Sequence, residues 1–131
     1  MIEADSGGRD GRSTQLLRGV LDLCLLSVIA ERPRYGYELV ESLAEQGLAL
    51  VSEGSIYPLL ARLEGARHVE SFKQPSANGP ARKYYRLTAT GAAELDAGRR
   101  AWAGFAQSVS RVLTSQASPP DPTTTRIEEF S

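Results

Sequence analysis

Between positions 16 and 63 apolar residues recur three and four places apart in three successive blocks, and the cuts between the blocks constrain the fold as strongly as the blocks do. That period belongs to helices with one apolar face, whereas a half-buried strand alternates every second residue. The first block carries Leu16, Leu17, Val20, Leu21, Cys24, Leu25, Val28 and Ile29 behind Ser13 or Thr14 as a cap, and Pro33 closes it. Being apolar nearly all round, it is expected at the centre of the fold. After an Arg34-Tyr35-Gly36 turn, Leu39, Val40, Leu43 and Ala44 predict a second, shorter helix ending at Gly47. Ile56, Leu59, Leu60 and Leu63 predict a third. Pro58 has no amide hydrogen and fits best in a first turn, so Ser55 rather than Ser52 is expected to cap that helix.

Two strand-forming runs follow, residues 69–74 and 82–87, joined by a seven-residue link whose Asn78-Gly79 pair and prolines signal a turn. The expectation is a hairpin with a long tip. Alternation along the second run sets Lys83, Tyr85 and Leu87 on one face and Arg82, Tyr84 and Arg86 on the other. Tyr85 and Leu87 are therefore expected to pack, and the cations near the tip to project. The chain has a formal net charge of −1 and a pI near 5.9. That average hides a local excess: residues 54–87 hold six cations (Arg62, Arg67, Lys73, Arg82, Lys83, Arg86) against Glu64 and Glu70. A helix, a short turn and a second helix showing Ser55, Tyr57, Ala61 and Arg62 outward is the shape of a major-groove reader. A hairpin flanked by Lys73, Arg82 and Lys83 suits a wing that meets phosphates or a minor groove.

Thr88 is expected to cap a last helix reaching about residue 113. Its apolar positions Leu95, Trp102, Phe105, Val109 and Val112, with Gly98 filling the gap, are spaced by threes and fours alternately. That 3.5-residue repeat is a coiled-coil seam. Leaving Trp102 or Phe105 in water forgoes roughly 2–3 kcal/mol per side chain, so homodimerisation through this helix is expected.

The composition excludes several other classes. With 131 residues, 41% hydrophobic and 24% charged, the chain suits one soluble domain with tails. The reading is a flexible tail at 1–12, a DNA-binding domain at 13–87, a dimerisation helix at 88–114 and a disordered Pro- and Thr-rich tail at 115–131. The longest strongly apolar stretch is far short of the roughly 20 residues that span a bilayer, and the acidic N-terminus is not a secretory signal, so a cytoplasmic location without membrane partners is expected. Cys24, the one cysteine, lies in an apolar run and reads as a packed thiol. His68 is the one histidine and has no cysteine or carboxylate cluster beside it, so neither a metal nor a cofactor is expected. Nucleophile-elbow and phosphate-loop motifs are absent from the sequence, and no enzymatic activity is expected.

Three segments together carry a family resemblance. They are Tyr35-Gly36-Tyr37-Glu38-Leu39; Glu53-Gly54-Ser55-Ile56-Tyr57-Pro58-Leu59-Leu60 with Arg62-Leu63-Glu64; and Gly79-Pro80-Ala81-Arg82-Lys83-Tyr84-Tyr85-Arg86-Leu87-Thr88. In this order and spacing the chain, over about residues 15–113, resembles the PadR-type transcriptional regulators. The resemblance implies a mainly α fold with a small β-hairpin wing, a winged helix-turn-helix plus a C-terminal dimerisation helix. It also implies a repressor that answers to a small molecule. On this reading Tyr37, Ser55, Tyr57 and Arg62 lie at the groove, Arg82 and Lys83 serve the wing, and Tyr35 and Lys73 join them as DNA contacts. Arg62 suits a guanine edge or a phosphate equally. The partner is double-stranded DNA with a pseudo-palindromic operator whose half-sites lie about one helical turn apart.

The single helix after the wing resembles the short branch of the family. Its dimer interface is formed by the first and last helices, here Leu16, Leu17, Val20, Leu95, Trp102, Phe105, Val109 and Val112. Two copies of Trp102 with Phe105 near the dimer axis either sandwich a flat aromatic effector, as drug- and phenolic-sensing relatives suggest, or simply form the interface. The sequence departs from the family where Arg67 replaces a helix-ending glycine, where His68 replaces a small apolar residue, and where Ala89 and Thr90 replace acids. The end of the third helix is therefore expected to shift by a residue or two. A second reading, a winged helix that binds protein instead of DNA, rests on the acidic pI.

Overall fold

The computed structural model describes residues 19–49 and 51–117. They form α1 (Leu21–Glu31), β1 (Arg34–Tyr35), α2 (Gly36–Glu45), α3 (Glu53–Gly65), β2 (Val69–Ser76), β3 (Gly79–Leu87) and α4 (Ala89–Ala117). The mainly helical class with a hairpin wing is the one expected. The chain divides into a compact unit through Gly98 and a second one from Arg99 onward. In the first unit, α1 gives Leu25, Leu26 and Ile29 to the core, α2 gives Leu39 and Leu43, and α3 gives Ile56, Leu60 and Leu63. Val51, Val69, Tyr85 and Leu95 complete it. Each helix thus buries one stripe, as its apolar period requires.

Several local expectations are corrected. Arg34 and Tyr35 are not a turn: they pair antiparallel with Tyr85 and Tyr84, giving a three-stranded sheet in the order β1-β3-β2. The wing has no long tip, because pairing continues to Ser76 opposite Gly79 and leaves Ala77 and Asn78 at the turn. Gly79 sits at φ 132°, open to glycine alone without strain, and the register slips between Gln74 and Ser76 around Pro75, which donates no ladder bond. Ser52, not Ser55, caps α3: its hydroxyl accepts from the Ser55 amide at 3.2 Å, while the Ser55 hydroxyl accepts from the Ser52 amide at 3.3 Å. Two orphan donors satisfied reciprocally outweigh the misfit of Pro58, which lies inside the helix. The last helix runs on to Ala117. Ser13, Thr14, Leu16, Leu17 and the tail at 1–12 lie outside the described residues, as does the chain beyond 117.

Leu95, expected in the dimer seam, is 5% exposed and belongs to the core of the first unit. Gly98 is not a gap in that seam either: an added Cβ would fall 2.5 Å from Leu23 Cδ1, so the glycine admits α1 close to α4. Val20 is partly buried against the same core. Cys24 is half-buried, and burial pushes its thiol above the ordinary value, which keeps it protonated and unreactive at neutral pH.

The end of α3 keeps a left-handed cap despite the missing glycine. Arg67 adopts φ 65°, its amide donates to the Glu64 carbonyl at 2.9 Å, and the His68 amide reaches back to the Leu63 carbonyl at 2.9 Å. This bond pair is a Schellman motif, built on a residue whose Cβ crowds the left-handed region. Arg67→Gly is expected to stabilise the fold by about 0.5–1 kcal/mol, the strain relieved less the extra freedom of glycine in the unfolded chain. Thermal melting should rise by a few degrees; a lower midpoint would mean that Arg67 bears no strain.

In the second unit α4 carries large apolar side chains in the open: Trp102 is 47% exposed, Phe105 64%, Val109 39%, Val112 55% and Leu113 63%. The rings of Trp102 and Phe105 are 6.3 Å apart.

Candidate nucleic-acid interface

The expected contact residues divide between two flanks of α3. At 3.6 residues per turn Ser55 and Arg62, seven apart, point almost the same way, while Tyr57 lies about 140° round from Arg62. The structure follows this arithmetic. Tyr57 faces β1 and the wing, where its ring crosses Gly36 so closely that a Cβ there would meet the hydroxyl at 2.5 Å. Arg62 turns instead to α1, where its Nη2 donates to both carboxylate oxygens of Asp22 at 2.7 Å.

The wing-side flank gathers Tyr35, Gly36, Tyr37, Glu53, Tyr57, Arg82 and Lys83 around an open concavity of about 470 Å³. Tyr37 stands at the start of α2, half exposed, and Tyr57 is 45% exposed. The charge of Glu41, which also accepts the hydroxyl's hydrogen bond, raises the Tyr37 phenol above its ordinary value. Burial, and then the hydroxyl's bond to Glu53 Oε2 at 3.1 Å, raises Tyr57. Both phenols remain neutral hydroxyls, each donating its one hydrogen to a glutamate.

On the wing, Arg82 lies 4.5 Å over the Tyr35 ring and donates to its hydroxyl. Tyr35 meets Tyr84 edge-on at 5.2 Å, and Tyr84 stacks on Phe72 at 5.7 Å under Arg86. Arg82, Tyr84 and Arg86 thus share one face and Tyr85 is buried on the other, as strand alternation implies. Lys73 stands directly opposite Lys83 in the ladder, both exposed. Lys83 is 3.9 Å from Glu64. Ser55, expected at the groove, spends its hydroxyl in the cap of α3.

Sequence reasoning missed Asp22, Glu53 and Gly36. Asp22 left a signal, since it is the one charge between positions 20 and 30 and an acid on the most apolar helix requires a partner. Glu53 left the four-residue spacing to Tyr57 within α3, whereas Gly36 meets Tyr57 only across two helices.

The model of the transcriptional regulator PadR-like family matches residues 25–97, more than half of the chain. A transcriptional regulator of Mycobacterium tuberculosis is 36% identical over 92 residues, covering 70% of this chain and 84% of that protein. The crystal structure of a PadR-like transcriptional regulator from Bacillus cereus is 40% identical, with a TM-score of 0.69, over 76% of this chain and 96% of that one. A PadR family regulator from Eggerthella lenta reaches a TM-score of 0.74 at 32% identity, over 85% and 96%.

Proposed function

Because the chain belongs to the PadR-like transcriptional regulator family, whose members regulate transcription and are not enzymes, we propose that it binds double-stranded DNA as a homodimer and acts as a ligand-responsive repressor. The single observation that supports this most is the wing pair, Lys73 opposite Lys83 with Arg82 beside them. Like charges facing each other across a ladder are destabilising, which fits a surface that meets a polyanion. In this reading α3 enters the major groove with Tyr57 and Ser55 at its leading end, Tyr37 and Tyr35 flank it, and Lys73, Arg82 and Lys83 reach phosphates. Dimerisation runs through Trp102, Phe105, Val109 and Val112, and sets two recognition helices about one turn of DNA apart on a pseudo-palindrome. A planar aromatic effector between two Trp102 rings supplies the response, read out as a change in tryptophan emission on titration. The site of action is the cytoplasm; no helix among the described residues is long and apolar enough to cross a membrane.

The deciding experiment is duplex binding at several salt concentrations. Each lost phosphate contact flattens the log–log slope by about 0.9, so Lys73→Ala with Lys83→Ala should flatten it by about 1.8 and weaken binding some 10–100-fold near 0.1 M salt. An unchanged slope would remove the wing from the interface. The second reading, a protein-binding module, draws on Glu41 and Glu53 beside Tyr37 and Tyr57. It requires that heparin and duplex DNA both fail to retain the chain in dilute salt.

A further inference from the structure

Asp22 and Arg62 join two helices that share the core but have different tasks. Asp22 is the second residue of α1, and Arg62 stands three residues before the end of α3. One guanidinium nitrogen donates to both carboxylate oxygens at 2.7 Å, forty residues apart in sequence. Leu25, Leu26 and Ile29 of α1 and Ile56, Leu60 and Leu63 of α3 belong to one buried cluster, and the exposed pair ties the two helices outside it. Apolar contact is non-directional, whereas two short charge-assisted bonds set a rotation and a register. Arg62 is also absent from the concavity that collects Tyr35, Tyr37, Tyr57, Arg82 and Lys83.

We propose that Arg62 does not read DNA but acts through Asp22 as a positioning residue, holding the recognition helix at a set angle on α1. The inference rests on the DNA-binding reading above.

The two roles for Arg62 give opposite signs when Asp22 is neutralised. Asp22→Asn leaves the arginine in place and frees it, so an arginine that contacts phosphate would bind DNA as well or better. A positioning arginine instead loses its anchor. The full-length chain is titrated with duplex DNA at several salt concentrations, alongside thermal melts. Asp22→Asn and Arg62→Ala should each weaken binding about fivefold with the salt slope unchanged and the melting midpoint within a few degrees, because an exposed pair adds little to stability. The exchange Asp22→Arg with Arg62→Asp should restore affinity to within about twofold. If the exchange binds worse than Arg62→Ala, or if Asp22→Asn keeps full affinity, the positioning role is overturned. A wild-type chain that ignores DNA overturns the functional reading and this inference with it; wild-type binding without rescue overturns this inference alone.

Discussion

Phe105→Glu is expected to leave the protein monomeric at micromolar concentration and to weaken operator binding by two orders of magnitude or more. The ring is 64% exposed on a stretch of α4 where Trp102, Val109, Val112 and Leu113 are also open, a set spaced to cover one side of a helix. Burying each large side chain against a partner is worth roughly 2–3 kcal/mol, and the two-fold symmetry counts every residue twice. A glutamate in the middle of that seam reverses the sign, since a charge must be stripped of water without a partner. Loss of the dimer uncouples the two half-sites, and linked half-sites commonly gain 10²–10⁴ in avidity. Sedimentation at several concentrations and a DNA titration check both parts. A variant that remains dimeric would remove this stripe from the interface.

Gly91→Ala is expected to destabilise the first unit by about 3 kcal/mol or more, lowering its melting temperature by on the order of 10–20 °C. The sign is the informative part, because alanine normally stabilises a helix by about 1 kcal/mol over glycine. Here an added Cβ would lie 2.0 Å from the His68 carbonyl oxygen and 2.9 Å from Leu87 Cδ1. The carbonyl has nowhere to retreat, since it accepts from the Thr88 amide at 3.1 Å. The Thr88 hydroxyl donates to the Arg67 carbonyl at 2.7 Å and accepts from the Gly91 amide at 2.9 Å, tying the start of α4 to the end of α3. Relief would mean moving α4 off β2, and with it Leu95 and Val69 out of the core. A calorimetric melt as high as that of the wild type would show that this close approach is not rigid.

The candidate site was only partly legible. Tyr57, Arg82 and Lys83 were singled out from residue type and position and Tyr37 from the family resemblance, and the structure brings all four around one concavity. Sequence reasoning grouped Arg62 with Tyr57. Both are outward in the sense of not being buried, yet they leave α3 on opposite flanks, and only the presence of Asp22 on α1 shows which neighbour Arg62 serves. Ser55 is exposed, and its hydroxyl takes part in the cap of α3 as the partner of Ser52 rather than as the cap residue itself, which sequence reasoning did not foresee.

The linear chain by itself determined which segments are helical, where the hairpin falls and which stripe of each helix is buried, since local period, proline and capping chemistry act within a turn or two of the backbone. It could not determine Leu95's side. A residue on a seven-residue repeat suits a dimer seam and a private core equally, and the choice falls to whatever is near in space, here the core of the first unit. The third strand at Arg34–Tyr35, the close passage of α4 over His68 and the link from Asp22 to Arg62 are decisions of the tertiary structure for the same reason. Each joins groups between 23 and 51 positions apart, and no local rule carries that far.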